Sequence, residues 1–362
     1  MTANKDILIE VKDLHVTFDV RAGIVKAVDG VSFDIKRGQT LGVIGESGCG
    51  KSMTARAIMQ MIPKPGKIPK GEIIYYRSVR NSNGANLIEQ INITKLDPDG
   101  AEIRRIRGGE IGMIFQEPMS SLTPVYSAGY QIGEAISLHR LTPVKKVGTQ
   151  MAETLMAHRK VTKGEARAIA IDMLQRVGIP KPEQRVDSYP HQLSGGQRQR
   201  VMTAIALCCS PVLLIADEPT TALDVSIEAQ ILDIMRDLQK NFGMAIMFIT
   251  HNLGVIAEMA EEIVVMYLGK QVEKASSIDL FYEPKHPYTQ ALLKSIPRVG
   301  KKSHELLASI KGMVPDPFHL PTGCLFHPRC PAFMPGKCDQ ITPTWKEVDK
   351  DHWVRCLLYE DV

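Results

Sequence analysis

Several absences narrow this chain first. An excess of charge of either sign is nearly missing, with a formal net charge of only +4. No basic stripe stands out, so the electrostatic footprint expected of a nucleic-acid binder is lacking. The start, MTANKDILIEVKDL, is charged and has no apolar segment of the kind a secretory signal needs. The longest nearly uncharged run, VMTAIALCCSPVLLIA (201–216), is broken by Pro211. It falls short of the roughly 20 apolar residues of a spanning helix. These absences predict a soluble, cytoplasmic protein. A reducing compartment disfavours structural disulfides and favours metal binding wherever cysteines cluster. No internal repeat is visible. What is present is bulk: 362 residues, 44% of them apolar, enough for one large domain plus an extension or for two domains.

Apolar and polar residues alternate in ILIEVKDLHVTF (7–18) and again in KAVDGVSFDI, as in half-buried strands. TLGVIG (40–45) is a short apolar strand running into glycine, and KSMTARAIMQMI reads as a helix stopped by Pro63 and Pro65. GEIIYY is a strand. The polar, turn-rich RSVRNSNGANLIEQIN behind it is expected to be a tolerated surface loop. EIGMIFQ, VLLIADEP, AIMFIT and EEIVVMYLG read as further strands. Helical spacing dominates 130–179 and returns in SIEAQILDIMRDLQKNF. Alternating strands and helices predict an α/β domain built on a mainly parallel sheet. Beyond about Lys274 the chain turns Pro- and His-rich, so the expected division is 1–274 and 275–362.

GESGCGKS (Gly45 to Ser52) fits G-x-x-x-x-G-K-[ST], between a strand and a helix. Glycines let successive N–H groups turn inward on phosphate oxygens, and the helix start adds partial positive charge. Lys51 is placed to reach the β- and γ-phosphates and Ser52 to ligate Mg²⁺. Cys49, inside the loop, reads as a small residue without chemistry. Asp217 and Glu218 end the apolar run VLLIA, where open α/β sheets bind ligands. Asp217 is the candidate Mg²⁺ partner and Glu218 the candidate for polarising an attacking water.

LSGGQRQR (193–200) decides which kind of NTPase this is. With it, the chain resembles the ATP-binding subunits of ABC transporters over nearly its whole length. The resemblance implies a P-loop cassette with a RecA-like parallel core, an N-terminal antiparallel β subdomain and a helical subdomain at about 125–210. It implies that ATP and Mg²⁺ are held by Gly45, Ser47, Gly48, Gly50, Lys51, Ser52 and Met53, with Phe18 stacked on adenine. Gln116 would touch Mg²⁺ or water, His251 would contact the γ-phosphate, and Asp224 would couple the two sites of a dimer. Ser194, Gly195, Gly196 and Gln197 would face the ATP of the other subunit. A helix start offers N–H groups and a hydroxyl there, which is an anion site without a cation.

FQEPMSSLTP (115–124) and KHPYTQALLKSIP (285–297) resemble, in particular, the oligopeptide/dipeptide permease ATPases of the D type. That resemblance implies a prokaryotic importer: a second, paralogous ATPase, two transmembrane permease subunits and an extracytoplasmic substrate-binding protein. The chain would sit peripherally on the cytoplasmic face of the inner membrane. Importers of oligosaccharides or nickel remain alternatives, and a non-transport ABC ATPase is disfavoured by the missing second cassette, coiled coil and basic stripe. His286 and Tyr288 read as structural residues at a helix entry.

Four more cysteines, Cys324, Cys330, Cys338 and Cys356, follow with spacing C-x5-C-x7-C-x17-C. Zinc sites usually begin with tighter pairs, although His327 or His352 could replace a thiol. Irregular spacing with intervening proline suits a four-thiolate iron–sulfur cluster. The resemblance implies the same [4Fe-4S] group, with Zn²⁺ the alternative. Its expected role is a staple for an accessory segment well away from the phosphate loop. Cys208 and Cys209 read as buried small residues.

Overall fold

A computed structural model describes residues 6–80, 86–115, 145–220, 225–295 and 310–360. In chain order the elements begin with β1 (Ile7–Val20), β2 (Gly23–Lys36), β3 (Thr40–Ile44), α1 (Lys51–Ile58), β4 (Gly66–Arg80) and β5 (Asn86–Asn92). Then come α2 (Ala101–Ile106), β6 (Ile111–Ile114), α3 (Val147–His158), α4 (Lys163–Arg176), α5 (Pro182–Arg185), α6 (Gly195–Leu207) and β7 (Leu213–Asp217). The remainder is α7 (Val225–Phe242), β8 (Ala245–Ile249), α8 (Leu253–Met259), β9 (Glu262–Tyr267), β10 (Lys270–Ser276), α9 (Ser277–Tyr282), α10 (Pro287–Lys294), β11 (Lys346–Asp349) and β12 (His352–Val354). The chain divides into two compact units, Met1–Pro98 with Phe248–Val362, and Asp99–Met247. No described helix is long and apolar enough to cross a membrane.

The first unit holds an antiparallel sheet in the order β2-β1-β4-β5. Ile9 and Val11 of β1 are buried and, past a register shift, so are Leu14 and Val16, so the alternation holds in two phases, with Leu8 also buried. The expected surface loop is corrected here. β4 extends to Arg80, and β5 pairs with it antiparallel, Ser78 opposite Ile88 and Arg77 opposite Glu89. Arg77 and Glu89 also form an ion pair at 3.2 Å. A solvated edge needs polar side chains, and such a strand reads like a loop.

In the same unit β3 runs parallel to β9, Val43 opposite Val264. Every residue of β3 is buried, the continuous apolar pattern of a strand covered on both faces. β10 pairs antiparallel with β9, β12 with β10, and β11 with β12. The buried Glu273 carboxylate of β10 fastens this corner. It accepts the backbone N–H of Lys285 (2.6 Å) and of His286 (3.0 Å), and bonds the His352 ring nitrogen Nε2 (2.8 Å).

The second unit pairs β6 and β7 in parallel, Ile111 opposite Leu213. Its helices α3 and α4 realise the helical spacing of their sequence. Thr162 and Glu165 close a reciprocal cap on α4. The division between units falls within β8.

Candidate functional site

In the first unit β3 delivers the chain into GESGCGKS and α1 leaves from it. Backbone geometry explains two of the glycines. Gly45 has φ 151°, and a Cβ there would lie 2.2 Å from the Met266 carbonyl oxygen. Gly50 has φ 101°, and its Cβ would lie 2.2 Å from the Ala27 carbonyl oxygen. Either side chain would push the loop away from the strands that shape it. Gly50 caps α1 without a side-chain hydrogen bond, and no acidic residue stands in the first turn. The helix thus presents its first N–H groups and its positive end uncancelled, which suits an anion.

Lys51 is 5% exposed and curls back on its own loop. Its Nζ donates to the carbonyls of Gly45 (2.7 Å) and Glu46 (3.1 Å). Ser47 and Gly48 form the exposed tip, while Ser52 and Met53 are half-buried in the first turn of α1. Phe18, half-buried near the end of β1, lies so close to Gly66 that a Cβ there would meet its ring at 2.6 Å. Cys49 is buried, and burial pushes its thiol up, in keeping with a residue that takes no part in chemistry.

The loop has anchors that sequence reasoning missed. Tyr288, fully buried in α10, accepts the backbone N–H of Glu46 at 2.9 Å. Arg329, between Cys324 and Cys330, grips the Glu46 carboxylate at two points, 2.7 and 3.0 Å. Sequence reading put the four-cysteine segment well away from the phosphate loop, and this contact corrects it. No local pattern signals a bond between residues so far apart. His251, exposed after β8, is followed by Asn252, whose side chain caps α8 through Gly254 N–H (3.1 Å).

In the second unit Asp217 ends β7 and is 2% exposed, with Glu218 at 8% beside it. Glu218 has φ 49°, left-handed backbone that costs a non-glycine residue roughly 1–2 kcal/mol. The turn is braced on both sides. Gln199 of α6 donates to the Pro219 carbonyl (2.5 Å), and Thr220 donates to Glu228 of α7 (2.8 Å). The signature stands at the start of α6. Ser194 accepts the Gln197 N–H (3.3 Å), and the Gln197 side chain accepts the Ser194 N–H (3.2 Å). Ser194 and Gly195 are exposed, and Gly196 is half-buried. Gln116 and Asp224 lie outside the described residues, as does most of FQEPMSSLTP.

Cys324, Cys330, Cys338 and Cys356 all line one cavity, together with Phe326 and Leu357. None of the four is in a disulfide. Backbone N–H groups bear on three of the sulfurs: that of Phe326 on Cys324, of Ala332 on Cys330, and of Leu358 on Cys356. Burial nevertheless pushes the Cys324 thiol up to about 11 and the Cys356 thiol up to about 12. Among the described residues, no group of three or more His, Cys, Asp and Glu side chains is arranged to hold a single metal ion. Cys208 and Cys209 are buried beside β7, as expected of small core residues.

Comparison with known proteins agrees with this geometry. Residues 28–221 match the ABC transporter family, and residues 272–338 match the oligopeptide/dipeptide transporter C-terminal region. The oligopeptide transport ATP-binding protein AppD of Bacillus subtilis is 44% identical, covering 98% of this chain and 97% of that one. The dipeptide transport ATP-binding protein DppD of the same organism is 42% identical, covering 98% and 95%. Among solved structures, the dimeric ABC transporter cassette MJ0796 superposes with a TM-score of 0.58 at 26% identity, covering 75% of this chain and 99% of that one. Its post-hydrolysis state bound to ADP and Pi gives a TM-score of 0.59 at 25% identity, with the same coverage.

Proposed function

The chain belongs to the ATP-binding proteins of ABC transporters, in the oligopeptide/dipeptide branch, and from that premise we propose that it is the ATP-hydrolysing subunit of an importer of di- and oligopeptides. The observation that carries this reading is one chain that joins an uncapped, glycine-built phosphate loop to the C-terminal region of that branch. Lys51 exchanges its carbonyl partners for the β- and γ-phosphates, and α1 supplies N–H groups. Ser52, Asp217 and Gln116 would hold Mg²⁺, which when bound would neutralise charge on the transferring phosphate. Glu218, held in its left-handed turn, polarises the attacking water, and His251 contacts the γ-phosphate. Phe18 stacks on adenine. Ser194, Gly195, Gly196 and Gln197 serve the ATP of a paralogous second subunit, and Asp224 couples the two sites. ATP-driven closure moves two transmembrane permeases, to which a substrate-binding protein delivers peptide outside the cell. The chain itself sits on the cytoplasmic face of the membrane.

The test is Glu218→Gln in the assembled complex. Steady-state ATP turnover falls about a hundredfold or more, while ATP binding persists. Normal turnover would remove Glu218 from its role. Co-purification of two membrane proteins and a paralogous ATPase checks the partners.

The four cysteines are read as ligands of a [4Fe-4S] cluster. The donor set fits: four thiols on one cavity, with N–H groups bearing on three sulfurs. Zn²⁺ is the alternative: His327 lines the same cavity and its Nδ1 bonds the Cys324 carbonyl (3.0 Å), which leaves Nε2 for a metal. When bound, the cluster would draw the protons from the buried thiols and clamp a Pro-rich segment. Anaerobically purified chain contains about four irons and four sulfides. One zinc per colourless chain would overturn this assignment.

A further inference from the structure

We propose that Arg329 is a positioning residue for the phosphate loop, so that the cysteine-rich segment forms part of the nucleotide site rather than an appendage to it. The inference rests on the reading of GESGCGKS as an ATP site and needs no cluster.

Glu46 is the second residue of the loop, and each of its polar groups is held by a different part of the first unit. Its backbone N–H donates to the Tyr288 hydroxyl (2.9 Å). Its carbonyl accepts from Lys51 Nζ (3.1 Å) and from the Cys49 N–H (3.3 Å). Its carboxylate takes Nη1 and Nη2 of Arg329, at 2.7 and 3.0 Å. Two parallel bonds between a planar guanidinium and a carboxylate fix direction as well as distance. The same carbonyl is a partner of the lysine that must turn to phosphate, so a shift of Glu46 displaces Lys51.

Arg329 is itself held rigidly. Its side chain is 4% exposed. Nη1 also donates to the Tyr267 hydroxyl (3.3 Å), Nε donates to the Lys311 carbonyl (3.3 Å), and the guanidinium lies 5.9 Å from the Tyr267 ring centre. Two residues before it in the same turn, His327 donates its backbone N–H to the Cys324 carbonyl (3.0 Å). Phe326 is 1% exposed and packs edge-on against Tyr267 and Tyr288, each at 5.3 Å. The aromatic cluster therefore carries both hands that hold Glu46: the guanidinium and the tyrosine hydroxyl. A staple with a purely local purpose would need neither.

The experiment uses the full chain in its assembled complex, with Arg329→Met, Arg329→Lys, Glu46→Gln and the double variant Glu46→Gln/Arg329→Met. Methionine keeps the stem packed, and Glu46, 24% exposed, can rehydrate. The readouts are ATP affinity by fluorescent-nucleotide binding, the KM and kcat of hydrolysis, and the metal content and unfolding midpoint of each variant. Arg329→Met raises Kd and KM for ATP about tenfold, the scale of one lost charge-assisted pair, with kcat changed less than about twofold. Glu46→Gln does the same, the double variant is no worse than either single one, and Arg329→Lys recovers part of the affinity. Unchanged Kd and KM in Arg329→Met would overturn the inference, as would additive losses in the double variant. If Arg329→Met fails to fold, Glu46→Gln and Arg329→Lys decide by the same KM criterion. A wild-type chain that binds no ATP would overturn the phosphate-loop reading and this inference together. Wild-type binding with indifferent variants would overturn the inference alone.

Discussion

His286 makes the corner beneath the phosphate loop sensitive to acid, and the size of the effect can be worked out. The ring is 1% exposed. Its Nδ1 accepts the Tyr288 N–H at 3.0 Å and so caps α10. Burial lowers its pKa from 6.5 to about 4, against the opposing pull of the Glu273 carboxylate. As pH falls the unfolded chain takes up this proton first. The stabilisation is therefore complete above pH 6.5 and drains away from there down to about pH 4. At about 1.4 kcal/mol per pH unit, the loss is about 2 kcal/mol at pH ~5 and about 3 kcal/mol in full. His286→Asn is the informative variant. Asparagine keeps an acceptor for the Tyr288 N–H, ranks among the best N-caps and does not titrate. Its smaller side chain costs a fixed amount at every pH, which cancels in a difference between two pH values. Urea midpoints of both proteins at about pH 7.5 and pH 5, with iron content matched, give that difference. The wild type should lose about 2 kcal/mol more than the variant. Parallel losses would mean that His286 is not held neutral by burial.

Two further outcomes follow from backbone geometry. Gly50→Ala sets a Cβ 2.2 Å from the Ala27 carbonyl oxygen and should abolish binding of a fluorescent ATP analogue with circular dichroism retained, and native affinity would show the loop to be tolerant. Ser194→Ala loses a 3.3 Å cap bond on an exposed helix start and should lower stability by about 1 kcal/mol. Turnover of the assembled complex should nevertheless fall about a hundredfold, and a loss no larger than the cap explains would free Ser194 from contact with phosphate.

Much of the phosphate loop was legible in the sequence, because strand, glycines and helix are contiguous there. The same holds for Asp217, which an apolar run places at a strand end. The β4–β5 pair was not legible as strands. Ser78, Glu89 and Gln90 are exposed and Arg77, though buried, is charged, and such polarity erases the alternation that marks a strand. α1 ends at Ile58, before Pro63 and Pro65, because Gln60 adopts φ 50°. Tyr288 is the helix-entry residue that its sequence position implies. Its second role, holding Glu46, arises only when α10 packs under the loop. Arg329 and Glu46 lie 283 positions apart, and neither periodicity nor spacing encodes such a pair.

The arrangement of these anchors suggests how one loop can be both rigid and receptive. Its two ends are fixed by backbone. Gly45 fits against the Met266 carbonyl and Gly50 against that of Ala27, while the Gly269 N–H donates to the Cys49 carbonyl at 3.0 Å. Gly269 in turn accepts the Asp29 N–H at 2.8 Å, so β2 and the β9–β10 turn hold the same side. Arg329 and Tyr288 then fix the side chain and N–H of Glu46. Between these fixed points Ser47 and Gly48 are exposed, and a Cβ on Gly48 would meet nothing within 4 Å. A loop built only for stability would bury its tip. Here the bracing falls on the two ends of the loop and on Glu46, and the tip between them is left open. Ordering is thus completed by folding rather than at the moment of binding, which lowers the entropic cost of capturing nucleotide.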